Sequence, residues 1–218
     1  MSEKEKAFIL GALVGDALGL PVHRKPHHIV RMYFKGVKGY TDEYYSTATP
    51  TGLRKGQNSK DVLPLLSRLP DANVIEAWTD LFFQTSENAR LSLLFQTIAA
   101  TGALNAETLA DGVFGDSKAK ILGSLALFPT DLVAEFDEAM TEKDAVDFAL
   151  AMLLRNHEDF ETTVLSTVNM GGLTTLTGAI VGGAMALLNG VSSIPAEWIA
   201  GLEHSSELLA RLDSRATR

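Results

Sequence analysis

The sequence predicts an all-α protein, a compact orthogonal helix bundle in a single domain over residues 1–218. Apolar residues recur at helical spacing, as Leu91, Leu94, Phe95 and Ile98 do at i, i+3, i+4 and i+7. No stretch shows the two-residue alternation of a half-buried strand, so we expect no sheet. No linker or low-complexity tract divides the 218 residues, a length that suits one domain.

Composition excludes several classes of function. The chain has 19 Lys and Arg against 27 Asp and Glu, a net charge of −8 that disfavours nucleic acid and anionic membranes as partners. The absence of Cys excludes a disulfide scaffold, a thiolate nucleophile and Cys-ligated zinc. The charged opening and the short, Gly-rich apolar stretch after it do not resemble a signal peptide, so we expect a cytoplasmic protein.

The first helix is expected over residues 3–18. Its small residues Gly11, Ala12 and Gly15 would let another backbone approach closely, and Gly19 with Pro21 ends it. Asp16 lies among apolar residues and needs a backbone N–H, a basic partner or a ligand. Of these, structural pairing is the favoured interpretation.

Residues 23–56 are rich in turn formers and are predicted to form a long loop or irregular structure. Their histidines lack the spacing of a metal site. The next helix is expected over residues 61–69, with Pro64 in its first turn. Asp61 is either its N-cap, which we favour, or a surviving metal ligand.

Further helices are predicted at 73–83, 89–100, 105–113, 119–127, 130–139, 141–154, 157–170, 174–188, 195–202 and 205–212. Thr141 followed by Asp144 indicates a helix start. No charged residue occurs between Thr162 and Ala196, yet threonines and glycines dilute this run. We therefore expect a buried central helix there rather than a membrane span.

Two segments are more specific than their composition. The first is GALVGDALGLPVH at residues 11–23, and the second is VNMGGLTTLTGAIVGG at residues 168–183, followed by IPAEW at 194–198. Together they resemble the ADP-ribosylglycohydrolase family. A third segment, GQNSKDV at residues 56–62, stands where that family has Thr-Asp-Asp-Thr, and the middle of the chain, about 70–145, looks shortened.

The resemblance implies an all-α fold and hydrolysis of a glycosidic bond to ADP-ribose, assisted by two magnesium or manganese ions. It places the family's glutamate on His23, its Thr-Asp-Asp on Ser59, Lys60 and Asp61, and its Asp-x-Asp-Thr ligands on Leu173, Thr175 and Leu176. Among these positions, only Asp61 keeps a carboxylate. One carboxylate beside an ammonium offers too few oxygens for two dications, so no metal or other cofactor is expected.

We therefore expect a non-catalytic binding or regulatory protein of this family, with no confidently assigned catalytic residue. Its partner would be a small anionic or ADP-ribose-like ligand, and its oligomeric state is not predicted. The remnants of the family's site are Asp16, His23, Ser59, Lys60, Asp61, Gly171, Gly172, Leu173, Thr174, Thr175 and Leu176. Alternatives are an active hydrolase with a site rearranged around Asp16, Asp61 and His23, and a structural protein.

Individual remnants keep two interpretations. Lys60 either replaces lost metal charge inside the cleft or is a solvated loop residue. Gly171 and Gly172 either bind a ligand at a helix start or simply form a turn with free backbone torsions, which we favour. Thr174 and Thr175 either line a pocket or bond back to the preceding turn.

Overall fold

A computed structural model of the protein describes residues 1–42, 52–155 and 159–216. The fold is all-α, as the sequence predicts. The helices are α1 (Glu3–Gly19), α2 (His27–Tyr33), α3 (Val62–Ser67), α4 (Val74–Trp78), α5 (Asn88–Thr101), α6 (Asp111–Phe114), α7 (Lys118–Ser124), α8 (Pro129–Glu135), α9 (Glu142–Arg155), α10 (Phe160–Val168), α11 (Thr174–Asn189), α12 (Ala196–Gly201) and α13 (Ser205–Ala216). A π-helical turn at Thr79–Phe83 extends α4.

Helices α1 and α11 form the centre of the fold and pack against each other at backbone contact. Their small residues pair in antiparallel order, Gly11 with Gly182 and Gly15 with Gly178. A Cβ added at Gly15 would lie 1.9 Å from the carbonyl oxygen of Gly178. The close approach expected from the glycines of the first helix is therefore present, and its partner is the long uncharged helix.

The hydroxyl of Thr174, in the first turn of α11, locks one end of this helix pair. It donates a 2.7 Å hydrogen bond to the carbonyl oxygen of Gly19 at the end of α1. Helices α5, α9 and α10 then pack around α11, and Leu94, Phe148 and Val164 from these helices are fully buried. The central position of α11 explains its lack of charge, because an unpaired charge there would be desolvated.

The expectation of no sheet needs a small correction. Lys25–Pro26 (β1) and Gly171–Gly172 (β2) form a two-residue antiparallel pair. The backbones meet because Gly171 and Gly172 have φ of +83° and +79°, a region open to residues without a Cβ. The two-residue elements are too short to show the alternation that predicts a strand.

Two local predictions are wrong. Residues 23–56 are not loop throughout, because α2 occupies His27–Tyr33; residues 43–51 of that segment lie outside the described ranges. The helix predicted at 105–113 is reduced to α6. The Asn105 side chain accepts hydrogen bonds from the backbone N–H groups of Glu107 and Thr108, which holds a turn where the helix would start.

A buried ion network joins α5 to α9. The Arg90 guanidinium donates to Asp147, whose side chain is 1 % exposed, at 2.6 Å, and also to Glu87 at 2.7 Å. Asp147 also accepts from Ser117 at 2.5 Å and from Lys143 at 3.1 Å. Every charged group of this network has a partner, which accounts for a buried carboxylate outside the candidate site.

No helix in the described ranges is long and apolar enough to cross a membrane. The uncharged run that raised the question forms α10 and the 16-residue α11, with β2 between them.

Replacing Gly15 with alanine should destabilise the protein by about 3 kcal/mol or more, because the new methyl group has no space beside the Gly178 carbonyl. Gly123→Ala is the matched control, since Gly123 is exposed in α7 with no atom within 4 Å of an added Cβ. The control should be neutral or stabilising by about 0.5–1 kcal/mol. Urea unfolding of both variants would decide this, and equal effects would refute the backbone contact.

Candidate functional site

Asp16 anchors the candidate site from the middle of the apolar helix α1. Its side chain is buried, and it accepts three hydrogen bonds from the segment before α3. The backbone N–H of Ser59 donates at 2.7 Å and the amide of Asn58 at 3.0 Å, while the Ser59 hydroxyl lies 2.6 Å from the other carboxyl oxygen. Asp16 therefore pairs with a backbone N–H, and it also lines the inner cavity described below.

Burial raises the pKa of Asp16 above its ordinary value, because desolvation penalises the charged carboxylate. The hydrogen bonds from Ser59 and Asn58 oppose this shift, as does the charge of Lys60. The net direction is upward, since no cation touches the carboxyl group directly. Ionisation of Asp16 is therefore less favourable in the folded protein than in the unfolded chain.

Lys60 neither binds a carboxylate directly nor extends into solvent as a free loop residue. Its ammonium donates to the carbonyl oxygens of Phe82 and Phe83, the second at 3.3 Å, and it lies 5.7 Å from the centre of the Phe82 ring. These carbonyls end the π-helical turn after α4, where a positive charge is favourable. Burial lowers the pKa of Lys60, and the charge of Asp16 opposes that shift.

His23 caps the start of α11. Its Nδ1 lies 3.0 Å from the Thr175 hydroxyl and accepts from the Thr175 backbone N–H at 3.4 Å. An imidazole that accepts at Nδ1 is neutral. Burial, together with the charges of Arg24 and Lys25, lowers the pKa of His23 to about 4. His23 is thus an uncharged helix cap at neutral pH.

Four other remnants of the family's site lie at or just before the starts of helices α3 and α11. Asp61 stands at the N-cap position of α3, as predicted, yet its side chain is exposed and makes no capping hydrogen bond. Gly171 and Gly172 form β2 before α11 and pair with β1, whereas the sequence favours a simple turn. Leu173 is buried at the N-cap position of that helix, and its N–H donates to the carbonyl oxygen of Ala139 at 2.9 Å.

Two cavities meet at Ser59 and Lys60. The inner cavity, of about 60 Å³, lies between α1, α11 and the π-helical turn, and its lining includes Asp16, Thr175 and Leu176. The outer cavity, of about 300 Å³, is lined by Arg54, Asp61 and neighbouring residues of α3 and α13. Asp16 and Asp61 line different cavities, so the structure does not bring the predicted carboxylates together.

The inner cavity does not fit two dications. Of the residues at the family's ligand positions, Leu173 and Leu176 have no donor atom in their side chains, and the Thr175 hydroxyl is already paired with His23. Lys60 adds a positive charge. Across the part of the chain that the structure describes, no three His, Asp or Glu side chains are grouped to hold a metal ion.

Sequence reasoning missed three contributors to the site. Asn58 donates to both Asp16 and the carbonyl oxygen of Leu13, the second at 2.7 Å. Phe82 and Phe83 supply a cavity wall and the carbonyls that hold Lys60. Asn58 precedes Ser59 in the segment GQNSKDV at residues 56–62, and this position indicated that Asn58 could belong to the site. The phenylalanines approach only through tertiary packing.

Comparison with known proteins supports the resemblance read from the sequence. Residues 131–218 match the family model of ADP-ribosylglycohydrolases. No curated protein matches the chain. A solved structure described as an ADP-ribosylglycohydrolase-related protein complex is 18% identical in sequence, with a TM-score of 0.50 over 99% of this chain and 97% of that one. These comparisons confirm the all-α fold, and they confirm the resemblance to ADP-ribosylglycohydrolases over residues 131–218.

Asp16→Asn should raise stability more at pH 7 than at pH 4. Because the folded-state pKa of Asp16 is raised, the folded protein holds its proton longer than the unfolded chain. Stability therefore falls as pH rises from the unfolded value near 3.8 through the folded one. Asparagine carries no charge at either pH, and its amide can donate to the Ser59 hydroxyl.

Urea unfolding at both pH values checks this expectation, with the exposed Glu107→Gln as the control. The stability difference between Asp16→Asn and the parent should widen as pH rises. A difference that narrows would mean that Ser59 and Asn58 stabilise the carboxylate more than burial penalises it.

Proposed function

Starting from the ADP-ribosylglycohydrolase match at residues 131–218 and the shared fold, we propose that the protein is a non-catalytic relative of these hydrolases. It would act as a cytoplasmic binding or regulatory protein that has lost the dinuclear metal site. The observation that carries the proposal is the chemistry of the ligand positions. At the positions aligned with family acids and ligands, Asp61 alone supplies a carboxylate.

The substituted residues support the proposal because they have acquired other bonds. Lys60 stabilises the carbonyl end of the π-helical turn, and His23 caps α11 through Thr175. Leu173 packs in the hydrophobic interior. A metal ion would have to displace these interactions and would also meet an ammonium at the Lys60 position, so its binding is opposed by packing and by charge.

The alternative of a rearranged hydrolase has less support. Asp16 is 2 % exposed and already bound by Ser59 and Asn58, while Asp61 faces the other cavity. A hydrolase site is recognised by titratable groups that converge in one cleft. In the inner cavity these are Asp16 and Lys60, and both are already held by hydrogen bonds to protein groups. His23 is bound to Thr175, and its pKa of about 4 leaves it neutral at pH 7.

Activity and metal binding test this proposal together. We expect no release of ADP-ribose from modified arginine or serine with magnesium or manganese, and no saturable manganese heat in calorimetry. Metal-dependent hydrolysis abolished by Asp61→Ala would refute it. We also expect that added manganese will leave the melting temperature of the unmodified protein unchanged.

A restored variant sharpens the test. Combining His23→Glu, Lys60→Asp, Leu173→Asp and Thr175→Asp should create a metal site that raises the melting temperature when manganese is added. The matched control replaces the same four residues with Gln or Asn, which removes the native side chains without adding charge. The proposal requires a manganese shift in the carboxylate variant alone, and a shift in the parent would contradict it.

The outer cavity is the proposed position of a small anionic or ADP-ribose-like ligand. Its volume of about 300 Å³ lies at the lower end of the range for ligand sites. Arg54 and Lys60 line it, and the Arg54 guanidinium pairs with Glu203. A phosphate group could exchange with that exposed ion pair, because the Arg54 side chain is 66% exposed.

Titration with ADP-ribose in the presence of EDTA tests the ligand. Arg54→Gln should weaken binding by about tenfold, equivalent to about 1.4 kcal/mol for loss of one charged contact. Arg68→Gln is the control, since Arg68 is exposed and does not line this cavity. If both variants bind ADP-ribose equally well, the outer cavity is not the binding site for this ligand.

A further inference from the structure

Residues 23–38, called here the basic segment, carry a charge opposite to that of the whole chain. They include five Lys and Arg, three His and no acidic residue. The rest of the sequence holds fourteen Lys and Arg against twenty-seven Asp and Glu. Such a concentrated reversal of sign favours a locally positive surface on an acidic protein.

The cations of the basic segment face an open cavity. Arg31 and Lys35 are exposed, and within the described ranges their side chains form no ion pair. Both line a cavity of about 350 Å³, together with His27, Gly36 and Asn169. Among the described residues, no acidic side chain lines this cavity, so a negative group entering it would meet positive charge that has no ion pair there.

Apolar side chains are exposed beside these cations. Met32 is 70% exposed and Tyr33 is 48% exposed, both in α2. Among the described residues, Phe128 is the other large hydrophobic side chain with such exposure. Two neighbouring exposed apolar residues next to unpaired cations are typical of a protein interaction surface.

The basic segment is already ordered by the fold. Asn169 accepts from the N–H of Val37 at 2.6 Å and donates to its carbonyl oxygen at 3.0 Å. The carbonyl oxygen of Asn169 lies 2.9 Å from Nδ1 of His27, and β1 pairs with β2. A partner would therefore bind a preorganised surface and lose little affinity to ordering.

We propose that the basic segment docks an acidic segment of a partner protein, one that combines Asp or Glu with apolar side chains. Its carboxylates would enter the cavity of Arg31 and Lys35, and its apolar residues would cover Met32 and Tyr33. Nucleic acid fits less well, because a long polyanion continues past the patch onto the acidic remainder of the chain, which repels it. A short acidic segment ends within the patch.

Fluorescence anisotropy with a labelled peptide of repeated Glu-Glu-Leu-Phe tests the proposal. The protein should bind this peptide, and raising NaCl from about 0.05 to about 0.5 M should weaken binding because exposed charges are screened. Arg31→Glu with Lys35→Glu should weaken it by about tenfold or more. The control, Lys55→Glu with Arg68→Glu, makes the same change in net charge at exposed positions outside the patch.

Further probes separate the apolar contribution and the other occupants. Met32→Ser should weaken binding of Glu-Glu-Leu-Phe but not of Glu-Glu-Ser-Ser. The proposal is overturned if neither peptide binds, if both charge-reversal pairs have equal effects, or if Met32→Ser affects the two peptides equally. Tighter binding of oligothymidylate or phosphatidylserine vesicles than of the acidic peptide would also overturn it, in favour of that occupant.

Discussion

The backbone contact between α1 and α11 is the constraint on which the rest of the structure depends. Gly15 and Gly178 allow the two helices to approach to a distance that any side chain would prevent. That approach is stabilised by close packing along the helices and by the Thr174 hydroxyl at one end. It also determines where the flanking segments begin, because β1 follows α1 and β2 precedes α11.

The candidate site is built on this helix pair. Asp16 follows Gly15 on α1, and Thr175 lies in the first turn of α11, so the contact brings both to the inner cavity. The segment before α3 is then held over them by Ser59 and Asn58. A change in the spacing of the helices would move all of these groups together, which couples the site to the stability of the core.

The described site holds mostly neutral and cationic side chains. A cluster of acids is stable only when cations compensate their repulsion. In this chain each of these side chains is accommodated by its own neighbours. Lys60 donates hydrogen bonds to carbonyl oxygens, His23 accepts a hydrogen bond as a neutral imidazole, and Leu173 is buried among apolar residues. Hydrogen bonds from Ser59 and Asn58 offset part of the desolvation penalty of the buried Asp16 carboxyl group.

Patterns in the local sequence were sufficient to predict several helices and the close contact made by α1. The helical spacing around Leu91, the small residues of α1 and the uncharged run of α11 each predicted a helix or a close contact that the structure contains. The motif segment at residues 168–183 likewise indicated the resemblance to ADP-ribosylglycohydrolases, whose family model matches residues 131–218. Only the tertiary structure decided that Lys60 bonds to Phe82 and that Arg31 forms no ion pair with any residue in the described ranges. Both outcomes depend on residues that are distant along the chain. The local sequence around a lysine or arginine does not determine which carbonyl oxygen or carboxylate its flexible side chain will contact.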